Sequence, residues 1–317
     1  SRLVITDESY EAIKAMQPET ALCNVDSIIA IRSSRITKPV LEIPEGVKRI
    51  ASDLQMYKHI AQLIMDNQRM LKWDFERIFY DNDNYFETET GVSVINPYNV
   101  WLGEGVKLAP NVVLDASEGP IIIDENTRIM AGSVLTGPIY IGKHCLIKAL
   151  SKIYEGVTIG PHCKVGGELE NSIIQAYSNK QHDGFLGHAY LGEWVNIGAD
   201  TNNSDLKNSY KNVKYFNYKA QSRIDSGTMF MGCVIGDHSK TGINSSLNTG
   251  LVVGCGCNIY GSELFSNFIP NFSWGTAENL TKYRFKAFLD TARAVKARRK
   301  LELGEQEAAL YDDIYGV

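Results

Sequence analysis

Residues 121–166 read IIIDENTRIMAGSVLTGPIYIGKHCLIKALSKIYEGVTIGPHCKVG, and within them Ile123, Ile129, Leu135, Ile141, Ile147, Ile153, Ile159 and Val165 recur at every sixth residue without a miss. Neither a helix, with a period of about 3.6, nor a half-buried strand, with a period of about two, produces such spacing. Six residues make one short strand and a turn. One unit cannot bury its aliphatic side chain alone, so the units must coil and stack on a shared core. Two positions ahead of each aliphatic stand Ile121, Thr127, Ser133, Ile139, Cys145, Ser151, Val157 and Cys163, apolar or small, as a second inward position near a corner requires. The pattern spells a hexapeptide-repeat parallel β-helix with three hexapeptides, 18 residues, per coil.

Outward from this stretch the same spacing continues with interruptions. Leu102, Leu108 and Leu114 form an earlier run three residues out of phase, opened by Trp101. Phe185, Leu191 and Ile197 form a third, and Met229, Ile235, Thr241, Leu247, Val253 and Ile259 a fourth. Between the last two, residues 199–228 depart from the repeat, and such an excursion from a regular solenoid points to a functional or intersubunit role. Residues 1–90 lack the repeat; there 54–78 carries a helical apolar pattern through Tyr57, Ile60, Leu63, Ile64, Leu71 and Phe75. A second helix is expected over 280–301, with Tyr283, Phe285, Phe288, Leu289 and Ala292 on its apolar side. The expected organisation is mainly β: an α/β segment over 1–90, the β-helix over 91–275, and a C-terminal helix and tail over 276–317.

Composition narrows the function. The formal charge of −5 lacks the basic excess of a nucleic-acid protein, while leaving room for a local basic pocket. No apolar run approaches the length of a membrane span, and Ser1-Arg2-Leu3-Val4 does not open like a signal peptide, so the cytoplasm is the expected compartment. The six cysteines are too sparse for a disulfide scaffold, and Cys255-Gly256-Cys257 lacks the spacing of a zinc knuckle; they read as small apolar residues, and no metal is expected. The basic run from Arg293 to Lys300 reads as a solvated helix end.

The densest polar stretch runs from Asn179 to Lys211. A histidine beside an amide and cations suits a general base acting on an amine or hydroxyl attached to an anionic group. Position alone does not choose the histidine, because His144, His162, His182, His188 and His238 each fall three residues before a repeat position, in the turn of a hexapeptide, where exposed polar residues are ordinary.

His182-Asp-Gly-Phe-Leu-Gly and Val195-Asn-Ile-Gly-Ala-Asp-Thr201 resemble the acetyltransferase domain of the bifunctional N-acetylglucosamine-1-phosphate uridyltransferase/glucosamine-1-phosphate acetyltransferase family. Asn179-Lys-Gln-His-Asp-Gly-Phe-Leu-Gly, Asn196-Ile-Gly-Ala-Asp-Thr-Asn-Asn-Ser-Asp-Leu-Lys and Asn267-Phe-Ile-Pro-Asn-Phe-Ser-Trp-Gly275 look closer still to a divergent branch of it, described as sugar nucleotidyltransferases. The resemblance covers roughly residues 55–300. It implies a left-handed β-helix, a homotrimer with the site between neighbouring prisms, and acetyl-CoA as co-substrate. It puts His182 at the catalytic base, Asn196 at a contact to the acetyl group and substrate, and the Ala199 N–H at the thioester oxygen. Phe185, Lys148 and Lys211 fall on substrate-binding positions; Gly261 and Ser273, with Ala199, fall near the coenzyme groove. Phe185 replaces a tyrosine and loses its hydroxyl, Lys148 replaces an arginine and loses its bidentate geometry, Asp200 replaces a glycine, and Asp205 an asparagine.

The resemblance thus implies acetyl transfer from acetyl-CoA to an amino-sugar phosphate. A nucleotidyltransferase whose catalytic N-terminal part is missing is the alternative, since the first glycine, Gly46, comes too late for a phosphate-binding loop. A non-catalytic trimerising scaffold is another. A zinc-dependent carbonic anhydrase of the same architecture needs paired histidines five apart, whereas His182 and His188 are six apart.

Overall fold

The computed structural model describes residues 3–25, 27–34, 42–80 and 88–316, so Ser1 and Arg2, on which the reading of the chain start rested, lie outside it. The chain divides into two compact units, Ser1–Leu63 and Ile64–Val317. In the first, helix α1 (Asp7–Lys14) opens with a capping box in which the Thr6 hydroxyl accepts from the Ser9 N–H and the Ser9 hydroxyl from the Thr6 N–H. Thr20–Cys23 is the central strand of a three-stranded mixed sheet, antiparallel to Ile28–Arg32 and parallel to Lys48–Ala51. Leu3, Met16, Leu22, Ile29 and Leu54 form its core.

The second unit is the parallel β-helix. Its strands fall on three faces. Face 1 runs from Ser93–Ile95 through Val113–Asp115, Val134–Thr136, Lys152–Ile153 and Glu168–Glu170 to Phe185–Gly187. Face 2 has nine strands, from Val100–Leu102 to Phe268–Ile269. Face 3 starts with Lys107–Leu108, Arg128–Ile129, Leu146–Ile147, Lys164–Val165 and Asn179–Lys180. The six-residue period becomes register: Ile123 stands beside Ile141, Ile141 beside Ile159, and Ile159 beside Ile174. All eight aliphatics of the unbroken run are fully buried. Each contributes about 2 kcal/mol of burial, as a large aliphatic removed from water does. The second inward position is filled as expected. Thr127 shows why small polar residues suit it: its hydroxyl donates to Gly142 O (2.7 Å) and accepts from the Cys145 N–H (2.9 Å). All six cysteines are free thiols, four of them buried.

Beyond Val165 the sequence expectation needs correction. The inward column continues through Leu169, Ile174, Lys180, Leu186, Leu191 and Ile197, with intervals shortened to four or five where turns lose residues. Phe185 therefore faces outward and Leu186 takes the inward place. Met229 is 42% exposed and belongs to no coil. The excursion is also displaced from 199–228, because Asn202–Asn203 still forms a coil strand beside Ser246–Leu247. The chain leaves the prism after Asn203 and rejoins it at Val234–Ile235. In between, the hairpin of Lys214–Asn217 and Ser222–Asp225 lies over face 2, with Phe216 stacked on Phe268 at 3.8 Å.

The ends also differ from expectation. Helix α2 (Ile60–Asp74) continues as a π turn through Phe79, and its Asn67 amide donates to Gly156 O (2.8 Å) while accepting from the Thr158 hydroxyl. Residues Leu280–Lys282 are a strand antiparallel to Ser273–Gly275, so helix α3 (Phe285–Ala297) starts later than its apolar pattern suggests. The tail is helical too: α4 (Glu305–Gly316) begins after Gly304, with Glu305 and Glu307 in its first turn, where carboxylates favour a helix start. Phe272, Phe288, Ala292 and Tyr311 pack α3 and α4 onto the prism. The basic run is only partly solvated: Lys296 is buried, pairs with Glu307 and lies 5.5 Å from the Trp194 ring.

Candidate functional site

The corner between faces 3 and 1 collects four of the eight sequence-predicted site residues, His182, Ala199, Lys148 and Gly261, with Asn196 and Phe185 on the adjoining faces. His182 lies in the turn from Asn179–Lys180 to Phe185–Gly187, and Ala199 lies in the equivalent turn of the next coil, about 4.8 Å along the axis as adjacent strands are spaced. A backbone bond ties the two turns together, the Asp200 N–H donating to Asp183 O (3.0 Å), and the Asn244 N–H of the following coil donates to Ala199 O (2.8 Å). His182 is exposed, with its ring directed away from the core. Among the described residues the Ala199 N–H has no acceptor. Asn196 is exposed on face 3 one coil below Asn179, and Phe185 is half-buried on face 1.

Asp200 finds its explanation here. Its φ of +56° is a left-handed conformation shared along the corner by Asn111, Gly132, Gly167 and Asn244. Gly, Asn and Asp are the residues that adopt it at least cost.

Inside the corner lies a polar network that the sequence reading missed. Lys180 occupies an inward position and is 2% exposed; its ammonium donates to Gly166 O (2.9 Å) and His182 O (2.8 Å). Burial lowers its pKa to about 8, against the opposing pull of Asp183, Asp200 and Glu168. One coil beyond Ile197, the Thr241 hydroxyl accepts from the Gly198 N–H (2.9 Å) and is bonded to the Thr201 hydroxyl (3.1 Å). The available signal was a lysine and a threonine standing at aliphatic positions. On face 3, Lys240 beside Asn196 is likewise lowered to about 8 by burial.

The remaining predicted residues divide. Lys148 lies on the same corner, separated from Gln181 by Gly166, where a β-carbon would fall 3.0 Å from Lys148 Cβ and 2.5 Å from Gln181 O. Gly261, at φ +124°, is at the same corner further along the prism. Ser273 is buried and its hydroxyl donates to Pro270 O (2.7 Å), so that hydroxyl is engaged within the chain. Lys211 is exposed in the insertion, whose hairpin lies over face 2 of its own prism, and the fold does not bring it to the His182 corner.

The other histidines occupy different corners, and two are buried where exposure was expected. His188 is at the turn between faces 1 and 2, 6% exposed, with Nδ1 2.8 Å from Asp205 Oδ2 and its ring stacked on Phe230. A β-carbon on Gly187 would fall 2.4 Å from Phe185 Cζ and 2.6 Å from Asp205 Oδ2, so ring and carboxylate meet over that glycine. The ladder here is carried by side chains: the Phe185 and Gly187 N–H groups donate to Asn202 Oδ1 and Asn203 Oδ1, each at 2.8 Å. At the corner between faces 2 and 3, His144, His162, Tyr177, Trp194 and His238 stack ring on ring, at centroid distances of 4.3 to 5.9 Å. All five have φ near +60°. Among the described residues, no group of three or more His, Cys, Asp or Glu side chains is placed to hold a metal ion. Among those residues no helix is long and apolar enough to cross a membrane.

No family model matches the chain. It is 37% identical over 145 residues to a bifunctional sugar-1-phosphate nucleotidylyltransferase/acetyltransferase of Sulfurisphaera tokodaii, covering 45% of this chain and 36% of that protein. It is 32% identical over 234 residues to the bifunctional protein GlmU of a Synechococcus strain, covering 67% of this chain and 34% of the relative. The chain thus spans about a third of the length of these relatives. An uncharacterized acetyltransferase, YaiX of Escherichia coli, is 28% identical over 183 residues, 56% of this chain and 78% of that one. Among solved structures, a UDP-N-acetylglucosamine acyltransferase from Campylobacter jejuni aligns with 71% of this chain and 81% of its own, at 16% identity and a TM-score of 0.39. The chain is, by sequence, related to bifunctional proteins of the nucleotidylyltransferase/acetyltransferase kind, the group the resemblance anticipated.

Proposed function

We propose that the chain is a CoA-dependent N-acetyltransferase acting on an amino-sugar phosphate of the glucosamine-1-phosphate kind, with its site at the corner between faces 3 and 1. The observation that carries this reading is the succession of His182 and Ala199 in consecutive turns of that corner: an exposed imidazole beside a backbone N–H without an acceptor. His182 takes the proton from the acceptor amine, which is nucleophilic only when unprotonated. The Ala199 N–H stabilises the oxygen that gains charge as the thioester carbonyl is attacked. Asn196, exposed on the adjoining face, orients the acyl group, and Lys148 and Phe185 hold the acceptor, the lysine through its phosphate and the phenyl ring through the sugar. Acetyl-CoA supplies the acyl group along the line of Ala199, Gly261 and Ser273; since the Ser273 hydroxyl is engaged with Pro270, that residue contributes backbone and shape.

In this reading the active form is a homotrimer in the cytoplasm, and Lys211 serves the site of a neighbouring prism, which accounts for its distance from His182 within one chain. Residues 1–90 are a remnant or the last part of a nucleotidyltransferase domain. The experiment is incubation with acetyl-CoA and a panel of amino-sugar 1-phosphates, amino sugars and neutral sugars, with the product identified by mass spectrometry. Acetylation confined to an amino-sugar phosphate supports the reading. Acetylation of a hydroxyl sugar alone would make the chain an O-acetyltransferase, and no product from folded protein would leave the scaffold alternative standing.

A further inference from the structure

The inward column of face 3 reads Leu108, Ile129, Ile147, Val165, Lys180, Ile197, Thr241 and Ile259. Two of these eight are polar, and they flank Ile197: Lys180 leads into the His182 turn, and Thr241 lies one coil beyond the Ala199 turn. A buried ammonium is a poor choice for stability, since an apolar side chain of similar volume at such a position is often neutral or stabilising. Yet the chain accommodates it in detail. Its four methylenes fill the place of an aliphatic between Val165 and Ile197, while Nζ reaches the corner and donates to Gly166 O and His182 O. Gly167, at φ +80°, leaves the space: a β-carbon there would fall 2.8 Å from Nζ and 2.8 Å from His182 O. Among the described residues no other hydrogen bond holds His182, so its carbonyl is the handle by which the prism holds the turn.

We propose that Lys180 is a positioning residue for acyl transfer at this corner: from inside the prism it clamps the His182 carbonyl to Gly166 and so fixes the direction in which the His182 ring projects. This rests on the functional reading above. The clamp joins the His182 turn to the Gly166 turn of the preceding coil, and the Asp200 to Asp183 bond joins it to the Ala199 turn of the next. Held on both sides, the ring keeps a constant relation to the Ala199 N–H. Thr241 does the corresponding work below, holding the Gly198 N–H that precedes Ala199.

The test uses the full chain with Lys180→Met, which keeps the apolar stem and removes the donor, and Lys180→Gln, which keeps a donor without the charge. Three readouts are taken: the thermal transition, kcat and KM for acetyl-CoA, and the ¹³C-histidine resonance of His182, assigned by its disappearance in His182→Ala. A merely structural lysine would shift the thermal transition in proportion to any loss of rate. The positioning role predicts a thermal transition for Lys180→Met at or above the wild-type value. It also predicts a kcat lower by roughly 100-fold, the loss a misplaced catalytic group produces, an acetyl-CoA KM within about twofold, and a moved His182 resonance. Lys180→Gln falls between the two. Unchanged kcat with an unmoved resonance overturns the proposal, as does loss of the folded state in both variants, which would make Lys180 a folding residue. If the wild-type protein turns over no acceptor, the functional reading fails, and the His182 resonance alone still decides whether Lys180 positions it.

Discussion

Replacing His238 by phenylalanine is expected to flatten the acid limb of the stability curve. His238 is 2% exposed, neither ring nitrogen has a hydrogen-bond partner, and Nε2 lies 3.8 Å from Glu307 Oε1, too far for a bond. Burial, reinforced by the cations of Lys240 and Lys296, lowers its pKa from 6.5 to about 3. The folded protein therefore keeps this ring neutral through a range in which the unfolded chain protonates it. Stability falls as pH drops below 6.5, at up to about 1.4 kcal/mol per pH unit. Between pH 6.5 and 5 the loss attributable to this one group is about 2 kcal/mol, with the Glu307 carboxylate acting to reduce it. Glu193 and Asp237 face the same region with carboxyl pKa values raised by burial, and they contribute with the opposite sign. They are present in both proteins, so the difference between wild type and His238→Phe isolates the histidine. Phenylalanine suits the site because Tyr177, Trp194 and Phe272 adopt the same left-handed conformation in the same column. It can also pack among Trp194, Phe288 and Tyr311 as the imidazole does. Urea unfolding from pH 8 to pH 5 is the assay. The variant should be at least as stable at pH 8 and should gain on the wild type as pH falls; parallel curves for the two proteins would refute the reasoning.

Two further outcomes follow from the corners. His188→Ala leaves the half-buried Asp205 carboxylate without its partner and should destabilise the protein by about 2 kcal/mol in chemical denaturation, whereas Asp205→Asn, which keeps a polar partner, should cost about half that. At φ +56°, Asp200→Gly should leave the thermal transition nearly unchanged, and Asp200→Val should lower stability by roughly 2 kcal/mol, because a β-branched residue is strained there.

How much could be read from the sequence depended on how evenly the coils were built. From Ile121 to Val165 each turn has the same length, so period and register coincide and every inward residue was identifiable. Beyond Val165 the turns shorten, and a search at constant spacing selected Phe185 where Leu186 is inward. Met229 matched the period by coincidence, because the insertion happens to return in phase. His182, Asn196 and Ala199 were singled out by the family resemblance and not by spacing; His182 and Ala199 lie in successive turns of one corner, with Asn196 on the adjoining face. Lys180 escaped notice, and Thr241 was read only as a repeat residue, because a polar residue at an inward place resembles an irregularity until its partners are known. The histidines were correctly assigned to turns, but the sequence could not separate three corners. His188 is bound to Asp205 across 17 residues, and His238 is covered by helices about 50 and 70 residues further on. The second terminal helix was missed because the 305–316 segment has no continuous apolar face, and it is held chiefly through Tyr311, Ile314 and Tyr315.

The central claim is that the His182 corner performs acyl transfer, and the most direct measurement is the rate of free thiol release from acetyl-CoA with glucosamine 1-phosphate, for wild type and His182→Ala side by side. His182 is exposed and, among the described residues, only its backbone carbonyl is bonded, so the variant should keep the wild-type thermal transition. The wild type should release thiol in an acceptor-dependent way, and the rate should fall roughly 100-fold or more in the variant, as loss of a general base entails. Equal rates for the two proteins, or a folded wild type that releases no thiol with any amino-sugar phosphate, would contradict it.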